Sequence, residues 1–167
     1  YLGVDIKGAR IWRGAKDALD LGLANVAFLR THVDHIARCF GPREVHEIWL
    51  TFSDPQPGKP RKRLTSPLFL GRYKRILAPG GAIHLKTDSH LLYEYTLEVI
   101  AEHGLRVHER SDDLYADLIH RVPSEERAAL GIRTYYERMW LAVGRTIRYV
   151  RFDIDDFPDH GEAAGDR

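Results

Sequence analysis

The chain has 167 residues, with 25 Lys and Arg against 24 Asp and Glu and a formal net charge of +1. That is enough for one domain with a real core, and too little bulk charge to announce a nucleic-acid binder by itself. Its single cysteine, Cys39, excludes an internal disulfide framework and a cysteine-rich metal site. No apolar run approaches the roughly 20 residues of a membrane span, and no signal-peptide pattern opens the chain. These features predict a cytoplasmic protein with neither membrane nor metal partners, and they leave the oligomeric state open. Cys39 falls in an apolar stretch and is expected to be a buried structural thiol.

In chain order, Tyr1 to Asp5 is a short apolar run ending in an acid. Ile11, Trp12, Ala15, Ala18 and Leu19 recur at helical spacing, so 9–21 predicts a helix that Gly22 ends. Asn25 to Leu29 reads as a second strand and Val33 to Phe40 as a helix, stopped by Gly41-Pro42. A strand follows over 45–52, then a helix over 66–77 with Pro67 in its first turn. Pro79-Gly80-Gly81 predicts a turn, 82–88 a strand, 91–102 a helix and 105–109 a strand. Ser111 to Glu126 reads as loop carrying a short turn over 113–118. A helix over 135–143 and a final strand over 147–154 complete the pattern, and the acidic tail 155–167 is expected to be disordered. Strands alternating with helices predict an α/β, Rossmann-like sandwich. Its sheet should be mostly parallel, with an antiparallel last strand at or near the edge.

The most informative stretch is IWLTFSDPQPGKPRKR, 48–63. Its apolar opening predicts a buried parallel strand, and Asp54-Pro55 ends it because proline donates no backbone hydrogen bond. Ligands of open α/β sheets bind at the carboxyl ends of strands. Asp54 therefore stands where chemistry is expected, with Lys59, Arg61, Lys62 and Arg63 beside it as a phosphate-binding loop stiffened by prolines. Arg10, Arg13 and Lys16 add positive charge on the first helix at spacings of three. Asp5 and Asp88 end two other strands. One such acid is more often a local cap than a ligand, but three at successive strand ends favour a site. Asp5 suits ribose hydroxyls. Thr134 and Glu137 fit a helix capping box, a structural feature in its own right. His32, His35 and His46 show no metal spacing.

Tyr1–Lys16 (YLGVDIKGARIWRGAK), residues 48–67 (IWLTFSDPQPGKPRKRLTSP), Leu77–Ser89 (LAPGGAIHLKTDS) and Thr134–Glu137 (TYYE) together resemble the bacterial tRNA (guanine-N7-)-methyltransferases. The resemblance runs from Tyr1 to about Ile154. It implies an S-adenosylmethionine-dependent methyltransferase fold over 1–154 that methylates N7 of a guanine in the variable loop of tRNA. By the same resemblance, Asp5 holds the cofactor ribose and His32 stands near the adenine, where the family often has an acid or amide. Asp54 would place both the cofactor and the guanine. Asp88, Thr134, Tyr135, Tyr136 and Glu137 match substrate-contacting positions. The family's substrate lysine aligns without gaps on Gly58, and Lys59 is assigned that role. The family's first strand and glycine-rich cofactor loop have no counterpart in these residues, so an N-terminal segment supplying them is expected. Two other readings stay open: a tRNA-binding module impaired in catalysis, and an unrelated nucleotide-dependent α/β enzyme such as a dehydrogenase.

Overall fold

The protein is described by a computed structural model covering residues 1–158. The chain divides into two compact units, Tyr1–Gly41 and the residues from Pro42 onward.

In the first unit, β1 (Leu2–Asp5) pairs in parallel with β2 (Ala27–Arg30), from Leu2 opposite Ala27 to Asp5 opposite Arg30. Helix α1 (Gly8–Asp20) makes the crossover and packs on both strands. Phe28 dictates two glycines here: a Cβ on Gly14 would lie 2.6 Å from its ring, and one on Gly3 would lie 2.8 Å away. The helix expected over 33–40 is a 3-10 helix, Val33–Arg38, with Ile36 as its buried residue. With one apolar anchor and Gly41-Pro42 close behind, the segment cannot develop a full α-helix. Cys39 is exposed rather than buried, its Sγ–H donating to the His35 carbonyl at 3.5 Å.

The second unit holds a four-stranded sheet in the order β3-β4-β6-β5. Its strands are β3 (Val45–Thr51), β4 (Leu77–Thr87), β5 (Val107–Ser111) and β6 (Arg148–Asp153). β3 and β4 are parallel, and β6 runs antiparallel between β4 and β5, so the last strand is antiparallel and one place in from the edge. β3 is parallel as expected but not buried. Within the described residues it pairs with β4 alone, and of its residues only Leu50 is buried. Pro79-Gly80-Gly81 does not separate two elements. It bulges inside β4, where the register jumps from Val45–Leu77 to Glu47–Ala82.

Helix α2 (Pro67–Ile76) starts on a proline at its first turn and buries Phe69, Leu70, Tyr73 and Ile76. Helix α3 (His90–Glu102), capped by the Ser89 hydroxyl, packs on β4 and β6. A smaller core of Leu114, Leu118, Val122, Leu130, Ile147 and Tyr149 draws on the stretch 111–126 read as loop, at whose end α4 (Ser124–Leu130) begins. Helix α5 is Tyr135–Ala142. The chain stays ordered past 154: Phe157 is buried and the Asp155 carboxylate accepts from the Gly80 N–H at 2.9 Å. The remainder of the expected disordered tail lies outside the described residues.

Candidate functional site

In the first unit, Asp5 closes β1. Its Oδ1 accepts the Lys7 N–H at 2.8 Å, and its Oδ2 lies 3.2 Å from an Arg10 guanidinium nitrogen. His32 caps the following 3-10 helix: its Nδ1 accepts from the Asp34 N–H at 3.3 Å, and the Asp34 carboxylate lies against the same nitrogen. One tautomer serves only one of those two contacts, because Nδ1 either accepts or donates.

In the second unit, the carboxyl ends of β3 and β4 lie side by side, Thr51 opposite Lys86, with the Phe52 N–H donating to the Lys86 carbonyl at 2.9 Å. Neighbouring strands are about 4.8 Å apart. Asp54, three residues past β3, and Asp88, one past β4, therefore leave the same end of the sheet. Asp54 is exposed, and its Oδ1 accepts the Gln56 N–H at 2.9 Å, so it shapes the loop that follows. Phe52 and Gln56 have φ of 51° and 45°, left-handed values that a non-glycine residue adopts at a cost. Asp88 is half-buried and ion-paired with Arg145 at 3.1 Å, whose guanidinium carbon sits 4.0 Å above the Trp140 ring.

The cation cluster splits. Lys59, Arg61 and Lys62 are exposed around a short 3-10 helix. Arg63 is buried: its Nε donates to the Pro55 carbonyl at 2.8 Å, and its guanidinium carbon lies 4.4 Å from the Tyr95 ring centroid. Arg63 is thus the loop's internal tie and not a phosphate contact.

Thr134 and Glu137 form the expected capping box, with the Thr134 hydroxyl accepting from the Glu137 N–H at 3.2 Å and Glu137 Oε2 accepting from the Thr134 N–H at 3.1 Å. Glu137 is wholly buried, and its Oε1 takes an ion pair from Lys86 Nζ at 2.7 Å and the Tyr115 hydroxyl hydrogen at 2.6 Å. Burial pulls the Lys86 ammonium below its usual pKa, against the opposing pull of Glu137. Burial, with Glu137 beside it, pushes the Tyr115 hydroxyl well up. Tyr135 and Tyr136, 65% and 51% exposed, meet edge to face at 5.5 Å between ring centroids.

Lys86, Tyr115, Arg133 and Arg145 were not singled out by the sequence. Only Lys86 left a trace there, as a charge in an otherwise buried strand two residues before a strand-end acid. A second buried ionisable group, His84, shares its face of β4. His84 stacks on Trp49 at 3.9 Å and meets the Tyr149 hydroxyl at 2.7 Å through Nδ1. Burial lowers its pKa to about 4, so the ring is neutral at pH 7. No group of three or more His, Cys, Asp or Glu among the described residues is arranged to hold a metal ion. No helix there is long and apolar enough to cross a membrane.

Solved structures share this architecture. The 16S rRNA methyltransferase KamB matches with a TM-score of 0.60 at 16% identity, over 90% of this chain and 74% of that one. A SAM-dependent methyltransferase from Aquifex aeolicus matches with a TM-score of 0.54 at 14% identity, over 90% of this chain and 66% of that one. The fold is the Rossmann-like fold of S-adenosylmethionine-dependent methyltransferases. A family model described as "Putative methyltransferase" matches residues 1–149. Among curated relatives, the tRNA (guanine-N(7)-)-methyltransferase of Porphyromonas gingivalis is 51% identical over 159 residues, 95% of this chain and 63% of that protein. That of Christiangramia forsetii is 45% identical over 156 residues, 92% of this chain and 67% of that protein. The chain belongs to the tRNA (guanine-N7-)-methyltransferase family. It spans about three fifths of the length of the Porphyromonas gingivalis and Bacteroides fragilis relatives, 63% and 61%.

Proposed function

We propose that this chain is the greater part of a cytoplasmic enzyme that transfers a methyl group from S-adenosyl-L-methionine to N7 of a guanine in the variable loop of tRNA. The observation that carries this reading is the paired carboxyl end of β3 and β4, which sets Asp54 and Asp88 beside an exposed basic loop. The names of the relatives supply the reaction and the substrate class.

Asp5 suits the cofactor's ribose. Two bonds occupy its oxygens, whereas an ionised carboxylate offers about four acceptor sites, so capacity remains for ribose hydroxyls. His32 stands at the end of β2, the position proposed for the adenine. When bound, S-adenosylmethionine supplies a sulfonium methyl electrophilic enough for direct attack by the guanine N7 lone pair. No proton has to leave N7 first, so the protein's task is alignment and charge stabilisation. Asp54 and Asp88 accept from the guanine N1–H and exocyclic amine and favour the cationic ring that methylation produces. Lys59, with Arg61 and Lys62, takes the phosphates. Thr134 starts the helix that presents Tyr135 and Tyr136, whose exposed rings offer nucleobases a stacking surface.

The test is nucleoside mass spectrometry of unmodified tRNA incubated with the full-length protein and S-adenosylmethionine. N7-methylguanosine mapped to the variable loop is the expected product. Unmodified tRNA, or methylation of another base or atom, contradicts the reading.

A further inference from the structure

We propose that Lys86 and Tyr115 are positioning residues for this reaction: with Glu137 they form a buried clasp that fixes the 130–137 connection against the carboxyl end of β4, and so sets where Tyr135 and Tyr136 meet the RNA. The inference rests on the methyl-transfer reading above.

The clasp is saturated. Lys86 Nζ is ion-paired with Glu137 Oε1 at 2.7 Å and donates to the Leu130 carbonyl at 2.8 Å, to the Ile132 carbonyl at 3.0 Å and to the Tyr115 hydroxyl oxygen at 3.3 Å, so the three N–H bonds of the ammonium are surrounded by acceptors. Tyr115 donates to Glu137 Oε1, and its oxygen faces the ammonium at 3.3 Å. Glu137 Oε2 holds the Thr134 N–H. Lys86, buried in β4, thereby grips both ends of the link between α4 and α5. On the ring of Tyr115 lies the guanidinium of Arg133, 4.4 Å from the centroid, so the same tyrosine places the one cation in the link.

Glu137 has no exposed atom through which to touch a substrate. Its effect on RNA passes through what it holds. The surrounding fold does not depend on the clasp for cohesion. The neighbouring apolar cluster, in which Leu114, Leu118 and Leu130 are fully buried, supplies the hydrophobic stabilisation of this region. A buried ion pair often does no better than an apolar replacement of equal volume. What the polar network adds is a single geometry for the link. Lys86 lies on β4 two residues before Asp88, so that geometry is set relative to an acid proposed to contact the guanine.

The experiment uses full-length protein and three variants: Tyr115→Phe, Lys86→Met and the double variant Lys86→Met/Glu137→Leu. Melting temperature, S-adenosylhomocysteine affinity, and kcat and KM for tRNA are measured on each. Tyr115→Phe, which loses one hydroxyl and keeps the ring, is expected to raise KM for tRNA about tenfold. Its cofactor affinity should stay at the wild-type value, and its melting temperature should fall less than that of Lys86→Met, because the buried ion pair is kept. The double variant is expected to melt above Lys86→Met, because no lone charge stays buried, yet to keep kcat/KM about 10²-fold below wild type. Recovery of kcat/KM along with the melting temperature would overturn the positioning role, as would a Tyr115→Phe enzyme indistinguishable from wild type. If Lys86→Met does not fold, Tyr115→Phe decides alone. Wild-type protein that transfers no methyl group defeats the underlying reading and this inference with it, an outcome visible before any variant is made.

Discussion

Two segments of the second unit, the loop after β3 and the link between α4 and α5, are each tied down by a buried cation that reaches for their carbonyls. In the 54–63 loop the cation is Arg63, held by the Pro55 carbonyl and the Tyr95 ring. In the 130–137 link it is Lys86, held by two carbonyls and by Glu137. The difference is the countercharge. Arg63 is held without a buried carboxylate, because a guanidinium is weakly hydrated and stacks on an aromatic face. An ammonium is a strongly hydrated point charge, and Lys86 is enclosed so fully that burial already lowers its pKa. The buried Glu137 carboxylate opposes that shift and favours the charged form. The loop accordingly presents exposed cations on a proline-stiffened backbone, and the link presents aromatic rings on a network closed around a buried ion pair.

The largest effect follows from that contrast. Glu137→Ala leaves the Lys86 ammonium buried and alone, and should cost about 3–5 kcal/mol in calorimetric unfolding. Arg63→Ala removes a cation that has no buried anion to abandon, and should cost less, about 1–3 kcal/mol for the orphaned carbonyl and the lost stacking. Equal costs would show that countercharge is not what separates the two anchors. At the small end, replacing Lys59, Arg61 and Lys62 together by alanine should leave stability within about 0.5 kcal/mol, since all three are exposed. The same variant should weaken tRNA binding and make the log–log salt dependence shallower by about 2–3. An unchanged salt slope would mean that these side chains meet only solvent.

Much of the architecture could be read from the sequence, because it depends on local period and punctuation. The strands over 1–5, 45–52 and 82–88 and the proline-led helix α2 follow from apolar runs and their Gly and Pro punctuation, and the antiparallel last strand from its connection to the strand before it. The misreadings have physical causes. Helix α4 is short, and it buries Leu130 in a cluster drawn from distant residues, so no periodicity marks it. The bulge at Gly80-Gly81 looks like a turn because glycine serves both.

At the site, the sequence marked Asp54, Asp88 and the Thr134–Glu137 cap, since strand ends and caps carry local signals. It could not show that Arg63 turns inward, because that depends on Tyr95, 32 positions away. Nor could it pair Lys86 with Glu137, or Asp88 with Arg145, because an ion pair across the fold leaves no spacing to count. His84 is a similar case: nothing local distinguishes a buried neutral histidine from an exposed one.

In the proposed reaction the carboxyl ends of β3 and β4 hold the guanine during methyl transfer. The most direct measurement is the turnover of Asp54→Asn at saturating tRNA and S-adenosylmethionine. Asparagine keeps the side-chain oxygen that accepts from Gln56 N–H, so the loop retains its shape while the charge is lost. The expected result is kcat lower by about 10²–10³-fold with an unchanged melting temperature. Turnover near wild type would contradict it and take Asp54 out of the mechanism.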